Sequence, residues 1–204
     1  MKSVKIILGL LLLSNILFAQ AGYQQMAKKA IMDGNFKQAV VHLEKATSQD
    51  GSNTENLYML GYSYYHAGNY MKAISTFDRL INLQPSESSY YYYRGKARNI
   101  TAMETIKMSM PEREKYLQTA IRDFTKAIQL NDEDVKLYQN RALAYRDHGT
   151  LRGQRTSNFY DRSLAATAIK ASINDFQKVL QLTPGRKDIT VQLDNAKEQM
   201  ASLK

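Results

Sequence analysis

Residues 54–87 read TENLYMLGYSYYHAGNYMKAISTFDRLINLQPSE, and the spacing of their apolar positions decides the fold. Leu57, Leu60, Gly61 and Tyr64 fall at i, i+3, i+4 and i+7, the signature of one helix face. Ala73, Ile74, Phe77, Leu80 and Ile81 define the matching face of a second helix, and Gly68-Asn69 between them supplies a sharp turn. Gly61 and Ala73 carry little side chain, so the two axes can approach closely while Phe77 packs between neighbouring units. A hairpin of this kind leaves one apolar face bare, so its stability must come from stacking on copies of itself.

Such copies are present. Asp33-Gly34-Asn35-Phe36 followed by Ala39 returns as Ala67-Gly68-Asn69-Tyr70 followed by Ala73, a shift of 34 residues, and Leu43 maps onto Phe77. A further 34 residues carries Leu57 onto Tyr91 and Gly61 onto Gly95. The run Ala73 to Pro85 recurs as Ala120 to Leu130 and again as Ser172 to Pro184, with Phe77, Phe124 and Phe176 in equivalent places. The repeats span about 20–53, 54–87, 88–134 and 135–186, and the last would expose its apolar side. Ile189, Leu193, Ala196 and Met200 form one stripe against Asp194, Lys197 and Glu198, which predicts a capping helix over 188–204.

On these residues the chain resembles the tetratricopeptide repeat family, in which Leu-Gly, Tyr, Ala, Phe and Pro recur at fixed offsets. The second repeat matches through Leu57, Leu60, Gly61, Tyr64, Gly68, Tyr70, Ala73, Phe77 and Pro85, and the first through Tyr23, Ala27, Gly34, Phe36, Ala39 and Ala46. The third keeps Tyr91, Gly95, Ala120, Phe124 and Ala127; the fourth keeps Tyr138, Ala142, Tyr145, Gly149, Phe176 and Pro184. The resemblance implies an all-α, right-handed superhelical array of antiparallel helix pairs, an α-solenoid of about four repeats plus the capping helix, occupying residues 22–204.

Two insertions break the period. Phe77 to Phe124 is 47 residues and Phe124 to Phe176 is 52, excesses of 13 and 18 over 34, both between the first and second helix of their repeat. Ser109-Met110-Pro111-Glu112 reads as an N-cap with Glu three residues later, so both helices of the third repeat are expected to lengthen by about two turns. In the fourth, helical spacing runs back to about Asn158 and leaves 150–157 as a loop. The two hairpins should protrude on the same side. The second is basic: Arg152, Arg155, Arg162 and Lys170 face only Asp161, which reads either as a solvated face or as a contact for an acidic partner.

Export is the expected fate of the chain. Lys2 and Lys5 precede an aliphatic run from Ile6, and Ala19 and Ala21 offer cleavage sites, so 1–21 reads as a signal peptide cut after 19 or 21. No other stretch approaches a membrane span. With no Cys there are no disulfides, thiolate metal sites or cysteine nucleophiles, which suits the periplasm or exterior of a bacterial cell envelope. Nucleic acid is not an expected partner of an exported chain. No paired carboxylates, phosphate-binding glycine loop or metal-spaced histidines appear, so no catalytic residue, metal or cofactor is expected. Asp132-Glu133-Asp134 reads as a turn feeding the next helix.

Binding is where the residues speak, because Tyr is abundant at 14 copies. The resemblance implies that the first helix of each repeat lines a concave groove. The corresponding positions hold Gln24, Lys28 and Ile31; Tyr58, Tyr62, Tyr65 and His66; Tyr92, Lys96 and Asn99; then Gln139, Leu143, Arg146 and Asp147. Tyr58, Tyr62 and Tyr65 share a face, and tyrosine joins a large apolar body to a hydroxyl at small entropy cost. Lys28, Lys96 and Arg146 add positive charge beside them. One reading makes this a groove for a peptide segment or helix of another protein, acidic partners fitting the charge. A second has the rings merely filling spaces between helices, with the function that of an envelope scaffold working through its basic hairpins or through weak self-association, the chain otherwise being a monomer. The carboxylate clamp of chaperone-binding members is not matched, since Gln24, Lys28, Met59, Ser89 and Tyr93 occupy its places.

Overall fold

The computed structural model describes residues 22–203; the segment read as a signal peptide lies outside them. Among the described residues every regular element is a helix. They are α1 (22–32), α2 (Phe36–Gln49), α3 (Thr54–His66), α4 (Tyr70–Leu83), α5 (Ser88–Glu104), α6 (Met110–Leu130), α7 (Val135–Arg152), α8 (Arg162–Leu182) and α9 (Lys187–Ser202). The chain is all-α and built of consecutive helix pairs. It divides into two compact units, one ending at Pro85 and the other beginning at Ser86.

In the first unit each turn follows from its sequence. Gly34 and Gly68 adopt φ of 71° and 80°, the left-handed region that glycine enters without a steric cost. Asn35 and Asn53 then cap α2 and α3, their side chains accepting from the amides of Gln38 and Asn56. The close approach predicted for Gly61 is real: a Cβ there would stand 3.0 Å from the fully buried Phe77 ring. Leu43, Leu57, Leu80 and Phe77 are sealed from water. Tyr64 closes the unit on its polar side by donating its hydroxyl to Glu44, which also receives Lys72 at 3.1 Å.

The second unit repeats this scheme around Phe124 and Phe176, both buried, with Gly95 giving way to the Phe124 ring and Gly149 to Ile169. Its core continues through Ile189, Leu193 and Ala196, so α9 covers the last pair as the apolar stripe required. The Ser109 capping box forms as expected, with reciprocal bonds between Ser109 and Glu112. The insertions are partitioned differently from the expectation. With 17 residues against 13 in α3, α5 gains about one turn rather than two, while α6, at 21 against 14 in α4, gains two. Arg113 stops α5 early by donating to the carbonyls of Ala102 and Thr105. In the fourth repeat α7 runs on to Arg152 and α8 starts only at Arg162, because Asp161 accepts from the Leu164 amide as an N-cap and its own N–H closes the loop on the Arg152 carbonyl at 2.8 Å.

One buried feature of the second unit is built at positions that are uncharged in the second repeat. Arg94 Nε reaches both oxygens of Asp123 at 3.2 and 3.1 Å, and Arg98 adds a bond of 2.7 Å. One repeat later Arg141 grips Asp175 at 2.7 and 2.8 Å. These are equivalent positions, directly before Gly95 and Ala142 on one helix and before Phe124 and Phe176 on the other; the second repeat has Leu60 and Thr76 there.

Candidate functional site

Aromatic rings on α3 form a connected row in the first unit. Tyr58 stacks on Tyr62 with centroids 6.4 Å apart, and Tyr62 lies 4.3 Å from His66. Tyr65 meets His66 edge-on at 5.0 Å. Spacings of three and four residues place these side chains on one side of the helix, as expected. Two rings that sequence reasoning had assigned only to the repeat pattern complete the row. Phe36, first residue of α2, stacks on His66 at 4.6 Å and meets Tyr62 at 5.9 Å; Tyr70, first residue of α4, meets Tyr65 edge-on at 5.7 Å. The signal that could have found them is their place directly after the Gly-Asn turn, where the entering helix leans toward the end of its neighbour. His66 is exposed and the tyrosines are half-buried, so the row presents ring edges and one imidazole to solvent.

Lys28 does not carry the open positive charge expected of it. Its ammonium pairs with Glu55 at 2.8 Å, both groups being exposed, so the pair is close to neutral.

In the second unit the predicted residues separate into a hollow and a set of ties. Tyr92 is half-buried, edge-on to Tyr93 at 5.1 Å and 6.3 Å from Phe124, and Lys96 holds its ammonium 5.3 Å over the Tyr92 ring. Lys96, Asn99 and Leu143 line a hollow of about 170 Å³ floored by Phe124 and edged by Ile100 and Asn140. Asn99 donates to Asp147 at 3.0 Å, while its Oδ1 is buried without a protein donor. The remaining residues are engaged within the fold: Arg146 donates to Gln192 and to Asp147, and Gln139 receives Arg186 at 3.4 Å. Arg146 thus ties α7 to α9 and its charge is balanced by Asp147. Tyr91 is buried and Tyr92 is half-buried, so the run of tyrosines 90–93 is divided between faces of α5.

Arg152 is engaged within the fold. It does not face only Asp161: its guanidinium grips Glu114 at 2.7 and 2.9 Å, stacks 3.9 Å from the Phe159 ring and donates to the Phe159 carbonyl. His148 meets the same carboxylate at 2.9 Å. Burial raises the Glu114 carboxyl, but His148 and Arg152 outweigh it and hold the group below its ordinary range. Arg152 is a latch between α6 and α7. Arg155 donates to the Ser202 carbonyl at 3.0 Å, and Arg162 is exposed at the start of α8.

Among the described residues no group of three or more His, Asp or Glu side chains is placed to hold a metal ion, and no helix is long and apolar enough to cross a membrane.

Comparison with known proteins fits this architecture. The family model described as anaphase-promoting complex, cyclosome, subunit 3 matches residues 32–98. No curated protein sequence matches the chain. Among solved structures, MamA 41-end from Desulfovibrio magneticus RS-1 is 17% identical with a TM-score of 0.56, covering 91% of this chain and 93% of that one. A thermophilic TPR protein of Thermus thermophilus, TTC0263, is 18% identical with a TM-score of 0.54, covering 87% and 98%. The Arabidopsis OM64 TPR domain is 21% identical with a TM-score of 0.53, covering 71% and 94%. With its period of 34 residues, its glycine-turned helix pairs and these structural likenesses, the chain is a protein of tetratricopeptide-repeat fold.

Proposed function

We propose that the chain is a non-catalytic adaptor of a bacterial cell envelope that captures a segment or helix of another protein against the aromatic row of α3. The observation that carries this reading is the continuous contact of Phe36, Tyr58, Tyr62, Tyr65, His66 and Tyr70 along one side of the first unit. Aromatic anchors dominate binding energetics at protein interfaces, and rings already held by one another lose little entropy on binding. In the second unit the hollow at Lys96 and Asn99 offers one cation and one unsatisfied amide oxygen, suited to polar groups of a partner. Export, through cleavage of the leader after 19 or 21, belongs to this proposal.

The test is retention of envelope proteins on the immobilised chain. A Tyr58→Ala/Tyr62→Ala variant with unchanged helix content should lose the protein that wild type retains. Equal retention by both would overturn the reading, and a partner lost only on Arg155→Glu/Arg162→Glu substitution would move the site to the hairpins.

A further inference from the structure

We propose that the cleft between the two inserted hairpins of the second unit is a separate docking site, one that takes an apolar segment flanked by carboxylates from a partner protein. It does not depend on the aromatic row.

The cleft measures about 520 Å³, within the range of specific binding pockets. Met103, Ile106, Met108, Met110 and Leu151 supply its apolar lining, with Arg113 at one edge. Leu151 also belongs to a sealed cluster with Ala102 and Leu117, so the floor of the cleft is continuous with the core between the hairpins. The rim composition is unusual for a turn. Every other connection between successive helices holds glycine, proline or asparagine, as in Gly34-Asn35, Gly68-Asn69 and Pro184-Gly185, whereas residues 105–109 read Thr-Ile-Lys-Met-Ser, with none of the three. Ile106 is 95% exposed and Met103 48% exposed at the tip of a hairpin, where the fold asks nothing apolar of them. Grouped exposed apolar residues mark interaction sites, and methionine, flexible and polarisable, adapts to varied apolar side chains. The insertions, which the repeat itself does not require, build most of it, with Asp147 of the regular first helix of the fourth repeat completing the wall.

Charge fixes the occupant. On these hairpins Glu112 is committed to Ser109, Glu114 to His148 and Arg152, Asp147 to Asn99 and Arg146, and Asp161 to the Leu164 amide. Of the cations, Lys107 lies between lining residues Ile106 and Met108, Arg113 bonds only to carbonyls, and Arg155 follows lining residue Gln154 and reaches a carbonyl. None of the three pairs with a carboxylate among the described residues. Glu104 alone is left to oppose them. The second unit as a whole holds 20 Lys plus Arg against 14 Asp plus Glu, so a second copy would bring like charge to this rim and an acidic segment would bring the complement.

The experiment uses the full chain labelled at its methionine methyl carbons and two synthetic amphipathic peptides. One carries Leu on one face and Glu on the other; its counterpart carries Lys in place of Glu. The Leu/Glu peptide should shift the methyl signals of Met103, Met108 and Met110 and leave Met32 and Met71 unmoved. It should bind at least about tenfold more tightly than the Leu/Lys peptide, with the difference shrinking as salt rises. Ile106→Asp/Met108→Asp should weaken binding by about tenfold or more without lowering the melting temperature, since burying a charge with the apolar anchors is costly. Lys107→Glu/Arg155→Glu should lower the affinity for the Leu/Glu peptide only. The proposal is overturned if neither peptide binds, if both bind equally, if the shifts fall on Met32 or Met71, or if either variant retains full affinity. Shifts of the same three methyls on raising protein concentration alone, or on adding anionic phosphatidylglycerol vesicles in place of peptide, would also overturn it, in favour of a second copy or a lipid surface.

Discussion

Removing the Asp175 carboxylate tests how the second unit is held. In the fold Asp175 is 9% exposed and takes both bonds from Arg141, whose side chain is 18% exposed. Asp175→Thr leaves the guanidinium half-committed to a buried place, with Thr125 at 3.2 Å as a neutral hydrogen-bond partner and the Tyr138 ring 5.8 Å away. Breaking a fully buried pair costs about 3–5 kcal/mol, and the access Arg141 keeps to water reduces that to about 2–4 kcal/mol. At about 4 °C per kcal/mol for a unit of this size, the melting temperature should fall by about 8–16 °C. The second repeat shows what should rescue it, since Leu60 and Thr76 occupy the same two positions without charge. Arg141→Leu/Asp175→Thr should therefore recover to within about 1 kcal/mol of wild type, apolar replacements of buried pairs being close to neutral. Calorimetry and urea unfolding of wild type, both single variants and the double variant close the cycle. A single variant as stable as wild type, or a double variant no better than the worse single, would refute the reasoning.

Two further outcomes follow from the same geometry. A Cβ at position 149 would stand 2.7 Å from Ile169 Cγ1 and 3.2 Å from the Ala165 carbonyl, so Gly149→Ala should cost about 1–3 kcal/mol despite the better helix propensity of alanine, read as a lower urea midpoint. The Tyr64 hydroxyl, and then Lys72, hold Glu44 below the usual carboxylate range, as His148 and Arg152 hold Glu114. Carboxyls depressed in the folded state contribute stability that is present above the unfolded value of about 4.3 and is lost as pH falls through the folded values. Burial and then Glu44 push Tyr64 up, so its contribution is intact below about pH 10 and is lost as pH climbs further. The unfolding midpoint should thus fall at both ends, and Glu44→Gln/Glu114→Gln should flatten the acid limb.

The repeat was legible because its determinants are local: glycine after a helix end, asparagine as the next cap, and apolar residues at helical spacing all act within one turn. The aromatic face of α3 was legible for the same reason. Charge was misread where its partner lies far along the chain. Arg152 finds Glu114 only because both insertions extend their hairpins side by side, and Lys28 finds Glu55 on the next pair. Spacing within a helix cannot report such pairs. The Arg141–Asp175 pair and its forerunner at Asp123 could have been found, since an Arg before the small residue and an Asp before the Phe recur together in two repeats. The cleft could not, because Met103, Ile106 and Met108 follow no period and gain meaning only when α7 is laid beside them.

The central claim, that a partner lies against the aromatic row of α3, is tested most directly by contact. A photoreactive phenylalanine placed at Tyr58 or Tyr62 should give a covalent adduct with one protein in living cells, whereas the same group at Ser75, exposed on α4, should give none. Adducts from Ser75 alone, or equally from all three positions, would contradict it.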